Sequence, residues 1–265
     1  MTQTVVLLGD SITRGQVSAS YIGPLRRKLR SADFQFINHG VNNDTTYNLL
    51  RRIHHVEFLN PDFVTILIGT NDMIAARSDA SAAFYMLNKG IPQRPTLEWS
   101  VANVRQIVRR LKKRTFAQIA LLSIPMLGED LTTQENENVR AYNRALSEIA
   151  QTEDIHFLPI YDRLAAALDG FNGRPFQPSA PLTAEFLARR LLYSEDFNTF
   201  SQRKGYRLLI DGVHLNRRGA EIVANEIAAF LVRASLTPPT PPGASAALPN
   251  HPAELHPHPT DSTLP

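Results

Sequence analysis

The chain contains no cysteine. That excludes disulfides, thiolate metal sites and a cysteine nucleophile, so covalent chemistry would have to fall to another side chain. Long apolar runs are missing too. No stretch approaches the ~20 residues of a membrane span. At the N-terminus only residues 5–8 are continuously apolar, and polar residues follow at once. A secretory signal needs a basic start and about 7–15 apolar residues, so the expectation is a soluble, cytoplasmic chain. An excess of one charge is also absent: 28 Lys and Arg against 25 Asp and Glu leave a net charge of +3. Nucleic-acid binding would need a concentrated basic patch. The one basic run, residues 105–114 (RQIVRRLKKR), is interrupted by apolar residues at helical spacing and reads as a solvated helix face. Neither a G-x-G-x-x-G loop nor a P-loop is present, which argues against a phosphate-cradling binding module. The G-x-S-x-G elbow is missing as well, which argues against the α/β-hydrolase fold but not against serine chemistry.

What is present is a regular alternation. At 265 residues the chain can bury one large core. Five short apolar segments bounded by turn residues read as buried strands: 4–8 (TVVLL), 34–38 (FQFIN), 63–68 (FVTILI), 119–124 (IALLSI) and 155–160 (IHFLPI). Helical patterns lie between them at 21–30, 45–59, 96–113 and 134–151. A last amphipathic helix runs from 216 to about 235, with Asn216 as its N-cap. This pattern predicts a three-layer α/β/α domain on a five-stranded parallel sheet of flavodoxin-like order. The domain is expected over residues 1–236. Residues 237–265 hold nine of the chain's 18 prolines and few large apolar side chains, so this tail is expected to be disordered, and His251, His256 and His258 in it to be solvated. Segments 75–95 and 172–205 are too long for plain connections and carry scattered aromatics; short helices near the site mouth are expected there.

Each polar cluster falls at the end of an expected strand or just before the last helix. They are Gly9-Asp10-Ser11, Asn38-His39-Gly40, Gly69-Thr70-Asn71-Asp72 and Asp211-Gly212-Val213-His214. In a parallel sheet the carboxyl ends of the strands share one edge, where ligands gather. Ester hydrolysis needs a hydroxyl nucleophile, a base to take its proton and a carboxylate to orient that base. It also needs donors aimed at the developing oxyanion. Ser11, His214 and Asp211 can supply the first three; the N–H groups of Ser11 and Gly40 and the amide of Asn71 can supply the donors. Singly, each has a plainer reading. Ser11 could be a turn residue, Asn71 and Asp72 an Asx turn, Asp211 and His214 a helix cap, and Gly40 a close approach of backbones. Their joint, ordered occurrence favours the chemical one.

In that order the four clusters resemble the blocks of the SGNH (GDSL) hydrolases, a superfamily of serine esterases and lipases, over about residues 4–232. The resemblance implies Ser11 as nucleophile, His214 as base and Asp211 as its partner. It further implies an oxyanion hole of Ser11, Gly40 and Asn71, with Asp10, Gly69 and Asp72 in support and no metal or cofactor. The implied activity is hydrolysis of carboxylic esters, acyl or acetyl, through an acyl-enzyme on a small-molecule substrate. Acyl transfer by the same residues is the alternative, and a flavodoxin-like small-ligand binding module a more distant one. One position departs from the pattern. Many members carry a second glycine three residues after the first in block two, and here Asn43 stands there.

Overall fold

Four consecutive side chains, Val5 to Leu8, are fully buried, as expected of a strand covered on both faces. They lie in β1 (Gln3–Gly9), an inner strand of the sheet in the computed structural model, which describes residues 2–171, 173–177 and 180–236. The tail expected to be disordered lies outside the described residues. In chain order, α1 (Ser11–Arg14) and α2 (Ile22–Lys28) lead to β2 (Phe34–Gly40), and α3 (Thr46–Arg52) and α4 (His54–Leu59) to β3 (Phe63–Leu67). Then come α5 (Thr70–Ala76), α6 (Asp79–Lys89), α7 (Leu97–Arg114), β4 (Gln118–Leu122), α8 (Gln134–Thr152) and β5 (His156–Leu158). The chain goes on through α9 (Ile160–Leu168), α10 (Ala180–Tyr193), α11 (Phe197–Arg203) and α12 (Arg217–Ala234).

All strand pairs are parallel, in the order β2-β1-β3-β4-β5. This is the flavodoxin-like three-layer α/β/α architecture that the alternation predicts. Right-handed crossovers sort the helices into two layers. Helix α12 packs on α2 and α9 on one side; α3, α4, α7 and α8 pack on one another on the other.

Three local differences from the sequence reading have physical causes. Strand β2 is only partly buried because, as an edge strand, it has a neighbour on one side alone. The expected helix over 45–59 is two helices meeting at Ile53. Leu49, Ile53 and Val56 form one buried stripe at helical spacing, but Val56 N–H bonds the Ile53 carbonyl in a tightened i→i+3 turn. The fifth strand is shorter than 155–160, and α9 follows it directly. Pro159 brings no N–H to a ladder, and the Tyr161 N–H is taken by Ser123 Oγ at 2.8 Å. Segments 75–95 and 172–205 do carry helices, α6 in the first and α10 and α11 in the second.

Candidate active site

At the end of β1, Asp10 stops the strand and starts a helix. Its Oδ1 accepts the Ile12 N–H at 2.9 Å, an N-cap bond that sets Ser11 as the first residue of α1. A first-turn N–H has no intrahelical acceptor, so the Ser11 N–H is directed out of the helix end. Some 200 residues later Asp211 organises its own turn. Its Oδ1 accepts the N–H groups of Val213 (3.0 Å) and His214 (2.9 Å). Just beyond, Asn216 caps α12 by accepting from Arg218 and Gly219 N–H.

These two turns meet. Ser11 Oγ lies 3.0 Å from His214 Nε2, and His214 Nδ1 lies 2.7 Å from Asp211 Oδ2. Asp211 is fully buried and His214 nearly so. An ionised carboxylate only accepts, so the proton sits on Nδ1, and Nε2 is left to accept from the serine hydroxyl. Burial alone pushes an imidazole toward its neutral form. The Asp211 carboxylate outweighs this and, with a smaller push from Asp10, holds the His214 pKa above its ordinary value. For Asp211 burial acts upward, yet the His214 charge and the bonds from His214 and Thr183 keep it below the carboxylate range.

Beside this line, Gly69 has φ of 121° as the N-cap of α5, a backbone region that favours glycine, and it puts Asn71 in the first turn. Asn71 Nδ2 donates to the Asp44 carbonyl at 2.9 Å, and Asn71 Oδ1 accepts from the Tyr85 hydroxyl at 2.7 Å. An amide nitrogen carries two hydrogens, so one remains beyond the bond to Asp44. Asp72 fastens elements together. It accepts from Thr46 N–H (2.9 Å), Thr46 Oγ1 (2.6 Å) and Ser100 Oγ (2.8 Å), tying α5 to α3 and α7. Burial pushes its pKa up to about 6 against those bonds. Asp10 goes further, to about 7, because burial is opposed by few partners: its Oδ2 is buried without one.

Gly40 requires a correction. It lies against α1, where an added Cβ would meet Arg14 N at 2.3 Å and Asp10 O at 2.8 Å. Its N–H, however, donates to Asn38 Oδ1 at 2.9 Å, because the exposed edge of β2 leaves that group no strand partner. Gly40 therefore serves close packing, and the expected donor is already engaged. Asn43, at the departing position, has φ of 61°. Asparagine tolerates the left-handed region that glycine also serves, so the backbone here does not require a glycine.

Four contributors carried no motif. Arg52 donates to Asp44 Oδ2 (2.6 Å), the His39 carbonyl (3.0 Å) and the Gly9 carbonyl (2.9 Å), clamping the ends of β1 and β2 to the loop at 44. His39 Nδ1 faces the same guanidinium; burial and that charge lower its pKa, so it serves the clamp. Thr183 of α10 donates its hydroxyl to Asp211 Oδ2, and Tyr85 of α6 reaches Asn71. Glu129 is buried, and its carboxylate accepts from the N–H groups of Arg207 (2.7 Å), Leu208 (2.7 Å) and Leu209 (2.8 Å), anchoring the approach to Asp211. Among the described residues no group of three or more His, Asp or Glu side chains is placed to hold a metal ion, and no helix is long and apolar enough to cross a membrane.

No curated protein matches this chain. Solved structures of similar fold include Axe2, an acetylxylan esterase from Geobacillus stearothermophilus, at 18% identity and a TM-score of 0.60, covering 88% of this chain and 94% of that one. LAE5, an alpha/beta hydrolase enzyme from the metagenome of Lake Arreo, has 16% identity, the same TM-score and coverages of 88% and 95%. The acetyl xylan esterase AlAXEase has 20% identity and a TM-score of 0.57, with coverages of 86% and 99%. At such identities the likeness shows the fold alone. The family model of the GDSL-like lipases and acylhydrolases matches residues 7–222, from β1 into α12 and across every cluster described above, and the chain belongs to that family.

Proposed function

We propose that this ester hydrolase works through an acyl-enzyme on Ser11, with His214 as the general base and Asp211 as the group that holds and charges it. The observation that carries the reading is the relay of 3.0 Å from Ser11 Oγ to His214 Nε2 and 2.7 Å from His214 Nδ1 to Asp211 Oδ2. As Oγ attacks the ester carbonyl, Nε2 takes its proton, and the imidazolium is stabilised by Asp211. The imidazolium then protonates the departing alcohol, leaving an acyl ester on Ser11. In the second half His214 takes a proton from water, hydroxide adds to the acyl carbon, and the proton returns to Oγ as the acid leaves. The Ser11 N–H and the second Nδ2 hydrogen of Asn71 are the oxyanion donors in this reading; donors of this kind contribute about 2.7–4 kcal/mol each to the transition state.

A parallel supports the assignment. The catalytic mutants of the Geobacillus acetylxylan esterase replace a serine, an aspartate and a histidine, the last two three positions apart, which is the spacing of Asp211 and His214. Acetyl esters, including acetylated xylooligosaccharides, are therefore the first substrates to try. The test is turnover of 4-nitrophenyl esters from acetyl to palmitoyl, and of an acetylated xylooligosaccharide, by wild type, S11A and H214A. Each variant is expected to lose about 10⁴-fold or more in kcat. Wild-type turnover in either one overturns the triad.

A further inference from the structure

The segment between α5 and α7 looks dispensable to the layered fold, yet α6 within it is fastened to the site at two points. At its C-terminal end, Lys89 Nζ bonds Asp44 Oδ1 at 2.7 Å and the Asn42 carbonyl at 3.1 Å. One turn earlier, Tyr85 passes its hydroxyl to Asn71 Oδ1 at 2.7 Å. Tyr85 is buried with Ala75 and Ile91 in a small apolar cluster of its own, backed by Tyr47, Ile74 and Trp99, which fixes the ring. Burial raises the tyrosine pKa, with the charges of Asp10 and Asp72 acting in the same sense, so the phenol keeps its proton and stays a donor.

We propose that Tyr85 is a positioning residue for ester hydrolysis, acting through Asn71; this rests on the reading of Asn71 as an oxyanion donor. The Asn71 amide has two ends. With Tyr85 donating to Oδ1 and Asp44 accepting from Nδ2, only one of its two flipped orientations satisfies both neighbours. That orientation presents nitrogen, never oxygen, to the developing negative charge. A hydrogen bond accepted at the amide oxygen also polarises the amide, so its remaining N–H becomes a better donor. The Asp44 carbonyl is held in turn by the two cations on its own carboxylate, Arg52 from α3 and Lys89 from α6. One short helix thus supplies both the hydroxyl that orients the amide and half of the clamp on its other partner.

The experiment is a double-mutant cycle with Y85F and N71A on 4-nitrophenyl acetate, with kcat and KM read separately. Y85F is expected to lower kcat about tenfold, less than the loss of a whole oxyanion donor, with KM changed less than twofold. In the N71A background Y85F is expected to change kcat by less than twofold, because the group it acts through is gone. A tenfold loss in both backgrounds overturns the proposal, as does an unchanged kcat in Y85F when N71A is impaired. An N71A enzyme with full activity overturns the oxyanion reading itself, so the two failures are distinct. If Y85F does not fold, 3-fluorotyrosine incorporated at position 85 keeps the ring and hydroxyl but changes its acidity. A shift in kcat at constant KM is then expected, and an identical kcat overturns the proposal.

Discussion

A histidine buried away from water ordinarily loses basicity, because the charged form is the one that burial penalises. His214 runs the other way, since Asp211 lies 2.7 Å from its Nδ1. The sign has a kinetic consequence. In the proposed mechanism only the neutral imidazole can take the Ser11 proton, so the acid limb of kcat/KM is expected to have a midpoint above the ordinary histidine value of about 6.5. In D211N the burial penalty stays and the opposing charge goes. The midpoint is then expected to fall below that value, along with a loss of about 10⁴-fold in kcat. Rate profiles of both proteins between pH 5 and 9 check this; an unmoved midpoint in D211N would mean that another group titrates. Of the residues proposed for the site, Ser11, Asp211, His214 and Asn71 can be picked out from the sequence because each sits in a short ordered motif at a strand end or before the last helix. Gly40 was legible as a position but misread as a donor, since nothing in its sequence says that Asn38 will fold back onto its N–H.

The elements explain why other contributors stayed hidden. Tyr85 and Thr183 stand on α6 and α10, in segments whose length marked them as insertions near the site but whose patterning named no contact. Glu129 lies in the turn after β4, and its role depends on three N–H groups some 80 positions away. No local pattern can reveal such a pairing. Its structure does predict a result. E129Q turns an amide NH₂ toward donors that need an acceptor, leaving buried N–H groups without partners at about 1–3 kcal/mol each. The strand of chain that delivers Asp211 and His214 should loosen, so both melting temperature and kcat are expected to fall. Retention of the wild-type melting temperature would show that the carboxylate does not anchor residues 207–209. The split of the 45–59 helix and the brevity of β5 are failures of another kind, where a tightened turn at Ile53 and a proline at 159 end a pattern that the side chains would have continued.

Across the whole molecule, alternation of apolar strands with helices sufficed for the sheet order, because crossover handedness leaves few arrangements of five parallel strands. The sheet gathers several buried acids at its carboxyl edge, and this shapes stability. Asp10 and Asp72 bind protons more tightly in the folded chain, at about 7 and about 6, than in the unfolded one. A raised carboxylate pKa means stability that is present at low pH and lost as pH climbs from about 4 toward the folded value. His214, also raised, adds a loss that begins above its unfolded value of about 6.5. The melting temperature is therefore expected to fall between pH 5 and 8. D10N keeps the cap oxygen and removes the charge, so the fall should shrink; an equal fall in D10N would remove Asp10 as its source. The most direct test of the central claim is rapid-quench mass spectrometry of the enzyme turning over 4-nitrophenyl acetate. One added acetyl group is expected on the peptide bearing Ser11, and its disappearance as substrate runs out. Steady turnover with no acetylated peptide, or with the acetyl group on another residue, would contradict it.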